Sequence, residues 1–146
     1  RWAMDWFEGV FRVLGDQGWG NRANPPTLRT FTAKNASELT PLGSAPIVLP
    51  RPESVTTVRF DGPRAYVVTF ERIDPLWTID IANPQKPFVA GHLETPGWLD
   101  YIEPRGDYFV ALGHDRASDR EIRRNQTAFG VGLQAGRFLI QQVAIS

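Results

Sequence analysis

The chain has 146 residues, with 16 basic and 16 acidic side chains, two histidines and no cysteine. The balanced charge argues against a nucleic-acid or anionic-membrane partner, and the lack of cysteine excludes disulfides, thiolate metal sites and a cysteine nucleophile. The longest apolar runs fall far short of the roughly 20 residues of a membrane helix, so we expect no membrane span. Thirteen glycines and twelve prolines favour short strands and turns over long helices. The chain starts at Arg1 without a charged and then apolar leader, so we expect a piece of a longer polypeptide.

Short segments that alternate apolar and polar residues follow one another along the chain, separated by turns. A strand over 9–16 precedes a hairpin over 27–44, and strands over 55–62 and 64–71 precede a hairpin over 75–92. A third group of segments follows in the rest of the chain. It consists of strands over 98–106 and 107–115, a charged loop over 114–127 and a last strand over 136–145.

The two hairpins resemble each other. Sliding the sequence along itself produces four identical pairs: Leu28 on Leu76, Thr30 on Thr78, Asn35 on Asn83 and Gly43 on Gly91. These pairs fall on the turn residue, the closing glycine and one strand face, where a repeated supersecondary unit has the least freedom to vary. We therefore predict a structural repeat.

The repeat predicts an all-β fold, a partial β-propeller of about three four-stranded antiparallel blades. The chain would be a single propeller segment, 1–146, with blade-like units at about 5–49, 55–94 and 98–146. The first unit offers no innermost strand, and the last offers no outermost one. Because propellers close with about four to eight blades, we expect further blades as partners, from the parent chain or from sister subunits. A β-sandwich is the alternative fold.

The middle of the chain also resembles a known family. The resemblance is carried by Arg59 and Phe60, Gly62, "YVVTF" (66–70), "DPL" (74–76), Ile79 and Asp80, Pro84 and Pro87, Gly91, Leu93, Pro96 and Gly97, Tyr101 and Pro104. These residues resemble secreted prokaryotic proteins with a C-terminal β-propeller domain that is distantly related to the WD-type repeats. The resemblance implies an exported or surface-anchored bacterial protein and supplies no catalytic residues. Glu103 departs from the pattern, in which a histidine is expected before Pro104.

Loops at one end of such blades lie together on one face of the ring, where propellers commonly bind ligands. The candidate ligand-binding residues on that face are Arg51, Arg72, Asp74, His114 and Asp115. Asp100 and Tyr101 alternate on an inner strand, so only one of them can face the channel, and the resemblance favours Tyr101. We therefore predict a non-catalytic binding or scaffolding module, with a protein or a glycan as its ligand.

Two other functions stay open. A carbohydrate-active hydrolase would draw a carboxylate pair from Glu71, Asp74, Asp100 and Asp115. Its carboxylates would lie about 5 Å apart for retention or about 6.5–9.5 Å apart for inversion of the sugar. The third function is an oligomer-assembly module whose exposed blades pair with sister chains.

We expect no cofactor. Two histidines without a third nitrogen or sulfur ligand do not make a zinc site, although His114 opens the charged loop. Calcium is the alternative, with Asp115, Asp119 and Glu121 as oxygen ligands. Their spacing does not match a calcium-binding loop, and two arginines lie between them, so a solvated charged loop is the simpler interpretation.

The five tryptophans fall into two groups. Trp77 and Trp98 lie in predicted strands, and we expect their large rings to fill the space between blades. Trp2, Trp6 and Trp19 lie near the start of the chain. We expect them to cover an open edge or to face a further blade.

Overall fold

The structure, a computed structural model, describes residues 3–15, 24–35, 37–51, 53–70, 74–95, 98–105, 108–114, 127–134 and 137–144. It describes only the backbone, and not the side chains, of positions 74, 95, 98, 100, 108, 109 and 112–114 and of the last two ranges. No helix among these residues has the length and apolar character needed to cross a bilayer.

Twelve strands form three four-stranded antiparallel sheets. The first sheet contains β1 (Ala3–Phe7), β2 (Val10–Gly15), β3 (Thr27–Asn35) and β4 (Glu38–Pro46). The second sheet contains β5 (Ser54–Asp61), β6 (Arg64–Phe70), β7 (Asp74–Asp80) and β8 (Phe88–Thr95). The third sheet contains β9 (Trp98–Arg105), β10 (Tyr108–His114), β11 (Thr127–Gln134) and β12 (Arg137–Ala144). Consecutive strands are neighbours in every sheet, as in propeller blades, which confirms the predicted partial propeller over the two-sheet sandwich.

The expectation that the first blade lacks its innermost strand is wrong, because β1 occupies that place. β1 pairs with β2 from Ala3 opposite Leu14 to Phe7 opposite Val10. Ala3 and Asp5 are poor strand formers, and five residues are too few to show a clear alternation. Pairing with β2 therefore decides the conformation of a segment whose own sequence signal is weak.

The third sheet is also complete, and its last two strands differ from the prediction. β11 occupies the third position, and the segment predicted there, 136–145, forms the fourth strand instead. Gly130 and Gly132 lie within β11, and glycine is depleted from strands, which explains why the sequence predicts no strand in this segment. Hydrogen bonding to β10 on one side and β12 on the other compensates for the low strand propensity.

The two repeated hairpins share the same register and the same irregularity. Thr30 pairs with Gly43, and Thr78 pairs with Gly91. In each hairpin the register shifts directly after the threonine. The residue pairs that the sequence aligns therefore occupy equivalent positions in the first and second sheets.

The aligned asparagines also have the same role. The side-chain oxygen of Asn35 accepts a hydrogen bond from the backbone N–H of Ser37 at 3.0 Å. The side-chain oxygen of Asn83 accepts one from the backbone N–H of Gln85, also at 3.0 Å. Such bonds to the residue two positions ahead stabilise a turn, so both asparagines reverse the chain between the third and fourth strands.

Two apolar cores lie between the sheets. The first core joins Leu14, Leu28, Ala45, Ile47 and Leu49 of the first sheet and its following segment to Ala65, Val67, Trp77, Ile79 and Ile81 of the second. The second core joins Tyr66, Val68 and Leu76 of the second sheet to Leu99, Ile102 and Ala111 of the third. Trp77 lies between two sheets as expected, whereas the side chain of Trp98 falls outside the described residues.

β6 is buried on both sides because it belongs to the middle sheet. Ala65 and Val67 pack in the first core, while Tyr66 and Val68 pack in the second. Burial of both faces explains why this strand reads as a continuous apolar run and not as an alternation.

The sheets lie side by side, because β5 contacts both β1 and β9 and β4 contacts β8. Antiparallel strands divide their connections between two edges of the molecule. The strands β2, β4, β6, β8 and β10 end at one edge, which we name the ring face. The strands β1, β3, β5, β7, β9 and β11 end at the other edge, which we name the turn face.

Candidate ligand-binding site

Three polar side chains lie in a row on β9, the first strand of the third sheet. Tyr101, Glu103 and Arg105 are each two residues apart, so they project from one side of the strand, opposite the buried Ile102. A fourth polar side chain, Arg59, comes from β5, the first strand of the second sheet. Because β5 and β9 contact each other, the four side chains meet. We name Arg59, Tyr101, Glu103 and Arg105 the arginine–tyrosine cluster.

Glu103 is the centre of the hydrogen bonds in this cluster. The hydroxyl of Tyr101 donates to Glu103 Oε2 at 2.5 Å, and Arg105 Nη2 lies 3.2 Å from Glu103 Oε1. The guanidinium carbon of Arg59 lies over the ring of Tyr101, 5.1 Å from its centroid. Each oxygen of the Glu103 carboxylate therefore has a partner, Tyr101 or Arg105. The guanidinium of Arg59 instead stacks on the ring of Tyr101.

Glu103 also determines how Tyr101 titrates. The Glu103 carboxylate raises the pKa of Tyr101 above its usual value of 10.0, because it accepts the phenolic proton in a hydrogen bond. Partial loss of solvent and the negative charge of Glu103 raise the pKa further, whereas the charges of Arg59 and Arg105 lower it. Tyr101 therefore stays protonated at neutral pH and acts as a donor to Glu103.

The cluster is suited to binding a carboxylate. Glu103 is paired with Arg105, but no acid among the described residues forms an ion pair with Arg59. A guanidinium that stacks on a ring keeps its N–H groups in plane, where they match the two oxygens of a carboxylate. Tyr101 is 39% exposed, so a ligand can reach the stacked pair from solvent.

The structure describes the side chains of two of the six predicted ligand-binding residues, Arg51 and Tyr101. Arg51 is exposed in the β4–β5 connection on the ring face, and Tyr101 belongs to the cluster. The side chains outside the described part of the chain are those of Arg72, Asp74, His114 and Asp115. The same holds for all four hydrolase candidates, Glu71, Asp74, Asp100 and Asp115, so the carboxylate pair stays a prediction.

Sequence reasoning missed three members of the cluster. Glu103 and Arg105 follow Tyr101 at the two-residue spacing of one strand side, and that spacing was sufficient to find them. Arg59 carries no such signal, because its position over Tyr101 depends on how β5 and β9 lie in neighbouring sheets.

A second polar group is buried between the ring face and the first core. Glu53 is 6% exposed, and its Oε2 accepts a hydrogen bond from the hydroxyl of Thr69 at 2.5 Å. Trp77 Nε1 donates to the same hydroxyl at 3.0 Å, and the ring of His92 stacks on Trp77 at 4.7 Å. These bonds tie the β4–β5 connection to β6 and β7, so we interpret the group as structural.

The described residues contain no group of three or more His, Cys, Asp or Glu side chains placed to hold a metal ion. The calcium candidates Asp115, Asp119 and Glu121 lie outside those residues. Calcium binding at the charged loop therefore stays the alternative that it was in the sequence.

The model of a family described as "Beta propeller domain" matches residues 1–141. The chain belongs to this beta propeller domain family. This propeller is 35% identical over 114 residues to an uncharacterized protein of Methanocaldococcus jannaschii, a match that covers 77% of the chain and 18% of that protein. It is 39% identical over 64 residues to an uncharacterized protein of Archaeoglobus fulgidus, covering 44% of the chain and 10% of that protein. The propeller therefore spans less than a fifth of the length of the curated relatives it matches.

The matched family and the resemblance seen in the sequence imply the same fold, a β-propeller. Both of these relatives are archaeal, and their descriptions name no location or activity. Export, a bacterial source and a distant relationship of the propeller to the WD-type repeats stay predictions.

Proposed function

We propose that this propeller is a non-catalytic binding and scaffolding module whose ligand is a protein that presents a carboxylate. The arginine–tyrosine cluster supports the proposal. Arg59 is stacked on Tyr101 and has no ion-pair partner among the described residues, whereas Glu103 is held by two donors. A carboxylate of the ligand would balance the charge of Arg59, the cation of the cluster that has no acidic partner among the described residues.

The geometry of Arg59 supports a side-chain carboxylate over a neutral sugar. Its Nη1 donates to the backbone oxygen of Val58 at 3.1 Å, which fixes the guanidinium over the ring. A fixed guanidinium loses little freedom when it binds, and charge-assisted bonds are about twice as strong as neutral ones. Sugar hydroxyls would form the weaker, neutral-acceptor bonds.

A peptide array tests this proposal. Each acidic peptide is paired with a copy in which every Asp and Glu is replaced by Asn and Gln. The propeller is expected to bind a set of the acidic peptides. The Arg59→Ala variant, which lacks the guanidinium, is expected not to bind them. Arg51→Ala on the ring face and Arg64→Ala, an exposed residue of β6, are the matched controls and are expected to bind normally.

The outcomes are distinct. If Arg51→Ala loses binding and Arg59→Ala keeps it, the ring face is the site and the cluster is not. If the neutral peptides bind as well as the acidic ones, the carboxylate is not what is recognised. If the propeller binds a glycan and none of the peptides, the ligand is a glycan and not a protein.

The scaffolding role rests on the outer side of the first sheet. Met4 is 62% exposed and Trp6 is 56% exposed, and they share a side of β1 with the residues paired to them on β2, Val13 and Phe11. Phe31 of β3 pairs with Phe11 and lies on the same side of the sheet, and the centroids of the two rings are 6.2 Å apart. We name these five residues the open apolar face.

The occupant of the open apolar face is proposed to be a further four-stranded sheet of the same polypeptide. The opposite side of the first sheet already packs against the second sheet through the first core. The matched relatives are more than five times longer than the segment they share with this chain, which is ample length for more blades. A ring of about four to eight blades would cover the face.

Location outside the cytoplasm is also part of the proposal and is supported by the family resemblance of residues 58–104. Cell fractionation tests it, because an exported propeller is expected in the envelope or the medium. Recovery in the cytosolic fraction would contradict this part and would leave the binding proposal intact.

A further inference from the structure

The β3–β4 hairpin carries a sequence motif that the proposed binding function does not use. Asn35, Ala36 and Ser37 give the order asparagine, any residue except proline, and serine. Enzymes that attach a glycan to an asparagine side chain recognise this order. Because so short a motif also occurs by chance, its place in the fold decides whether a transferase can use it.

The hairpin lies at the surface of the folded protein. Lys34, Asn35, Ser37 and Glu38 are all exposed, and none of the four belongs to either apolar core. The ammonium of Lys34 lies 3.4 Å from Glu38 Oε1, and both side chains of this pair are more than half exposed. A transferase can therefore reach Asn35 without unfolding the first sheet.

The turn at Asn35 leaves its amide nitrogen available. Asn35 Oδ1 accepts a hydrogen bond from the backbone N–H of Ser37 and another from the Ser37 hydroxyl, both at 3.0 Å. Both bonds use the oxygen of the side-chain amide, whereas a glycan is attached to its nitrogen, Nδ2. The turn therefore survives attachment, and the serine hydroxyl that the motif requires already lies beside the amide that would be modified.

The equivalent asparagine of the second sheet provides a comparison within the chain. Asn83 makes the same turn, since its Oδ1 accepts from the backbone N–H of Gln85 at 3.0 Å. Pro84 and Gln85 follow it, so both later positions of the motif are lost. The connection that contains Asn83 also packs against the first sheet, because Thr30 donates to the backbone oxygen of Pro84. Of the two equivalent turns, the one that carries the motif is thus the one at an exposed hairpin.

We propose that Asn35 is the attachment site of an N-linked glycan. The inference rests on the proposed location of the protein outside the cytoplasm, where such glycans are found on surface loops. The co-reactant is a sugar linked to a lipid phosphate. Transfer forms a bond from Asn35 Nδ2 to the anomeric carbon and breaks the bond from that carbon to the phosphate oxygen. The lipid phosphate leaves with the electron pair, and one Nδ2 proton passes to a base of the transferase.

A glycan at this position leaves the arginine–tyrosine cluster open. Asn35 lies between the third and fourth strands of the first sheet, whereas the cluster lies on β5 and β9, the first strands of the other two sheets. Carboxylate binding is therefore expected to be the same with and without the glycan, so the two proposals can fail separately.

Peptide mapping of the natural protein tests the proposal. The whole polypeptide is purified from the cells that produce it, digested and analysed by tandem mass spectrometry. The peptide that contains Asn35 is expected to carry the mass of a glycan and to release sugar fragments, while the peptide that contains Asn83 is expected to be unmodified. Mapping by peptide also separates Asn35 from the second motif of this kind, at 125–127, part of which lies outside the described residues.

Three variants, expressed in the same cells, test which atoms matter. Asn35→Asp removes Nδ2 and keeps an oxygen acceptor for the turn, and Ser37→Ala removes the hydroxyl. Both are expected to fold and to lose the glycan completely. Ser37→Thr keeps the motif and is the control that is expected to retain the glycan on most copies.

The outcomes separate this proposal from the others. An unmodified Asn35 in protein recovered from the envelope or the medium would overturn the glycan and leave both the location and the carboxylate binding intact. Unmodified protein found only in the cytosol would overturn the glycan together with the location. A glycan retained by Ser37→Ala would show that the motif is not what directs attachment and would also overturn the proposal.

Discussion

The hydroxyl of Thr30 donates a hydrogen bond to the backbone oxygen of Pro84 at 2.5 Å, and this bond joins the first sheet to the second. Thr78 occupies the equivalent position in the second sheet. Its hydroxyl is buried and has no partner among the described residues. Pro84 lies in the β7–β8 connection, so it is this connection of the second sheet that reaches Thr30 in the first. The same threonine of the repeat therefore has different energetic roles in neighbouring sheets.

Substitution of the two threonines by valine is expected to separate these roles. Thr30→Val removes the bond to Pro84 and is expected to lower the free energy of unfolding by about 1–2 kcal/mol. Thr78→Val replaces a buried, unpaired hydroxyl by a methyl group and is expected to be neutral or stabilising. Urea denaturation of both variants measures the difference. Equal losses would show that the bond between the sheets contributes nothing.

The glycines paired with these threonines are expected to differ in the same way. A Cβ atom at Gly43 would lie 2.7 Å from the backbone oxygens of Pro84 and Gln85, so Gly43→Ala is expected to cost about 1–3 kcal/mol. A Cβ atom at Gly91 meets nothing within 4 Å. Gly91→Ala is therefore expected to be neutral or to stabilise by up to about 1 kcal/mol. Thermal unfolding compares the two variants, and a larger loss at Gly91 would contradict the packing described between the first two sheets.

The buried hydroxyl of Thr69 connects two groups that have little access to water. Thr69→Val removes the donor to Glu53 and the acceptor for Trp77 Nε1, and it is expected to cost about 2–4 kcal/mol. Thr69→Ser keeps the hydroxyl and is expected to cost about 1 kcal/mol through its lost methyl group. Urea denaturation checks both values. A serine variant as unstable as the valine variant would show that packing of the methyl group, not hydrogen bonding, dominates.

Titration of Tyr101 reports on the arginine–tyrosine cluster. Glu103→Gln removes the carboxylate that raises the pKa of Tyr101, first by accepting the phenolic proton in a hydrogen bond and also by its negative charge, so the pKa is expected to fall toward 10.0. Arg59→Ala removes a charge that lowers it, so the pKa is expected to rise further. Because the folded-state pKa is raised, the associated stability is present below pH 10 and is lost as the pH rises through that pKa. The ultraviolet absorbance of tyrosinate, taken as the difference from Tyr101→Phe, measures each pKa.

Shifts of the same sign in the two variants would contradict this account. Glu103 and Arg59 carry opposite charges and act on the same phenol, so the cluster requires shifts of opposite sign. Arg51→Ala is the control, because the described contacts of Tyr101 do not include Arg51, and it is expected to leave the titration unchanged.

The sequence predicts the fold where strands have strong signals of their own. β6 reads as an apolar run because both its sides are buried, and β7 starts at an Asp-Pro pair and ends near an asparagine turn. β1 and β11 have weak signals, since one is short with poor strand formers and the other contains two glycines. Their conformation comes from hydrogen bonding to β2 and β10, which local composition does not encode.

In the site, too, the residues with a local sequence signal could be predicted, and those that depend on contacts between sheets could not. Tyr101 lies on an inner strand as the sequence and the family resemblance predict. Arg59 reaches it from another sheet. Residues brought together across sheets could not be predicted, because the sequence contains no pattern for the spacing between one blade and the next.

The most direct test of the account is an experimental structure of the whole polypeptide that contains these residues. We expect the exposed side of Trp6 in the open apolar face to be covered by a further four-stranded sheet of the same polypeptide, stacked as the second sheet is stacked on the first. A structure in which Trp6 is open to solvent, or is covered by a second copy of the chain, would contradict it.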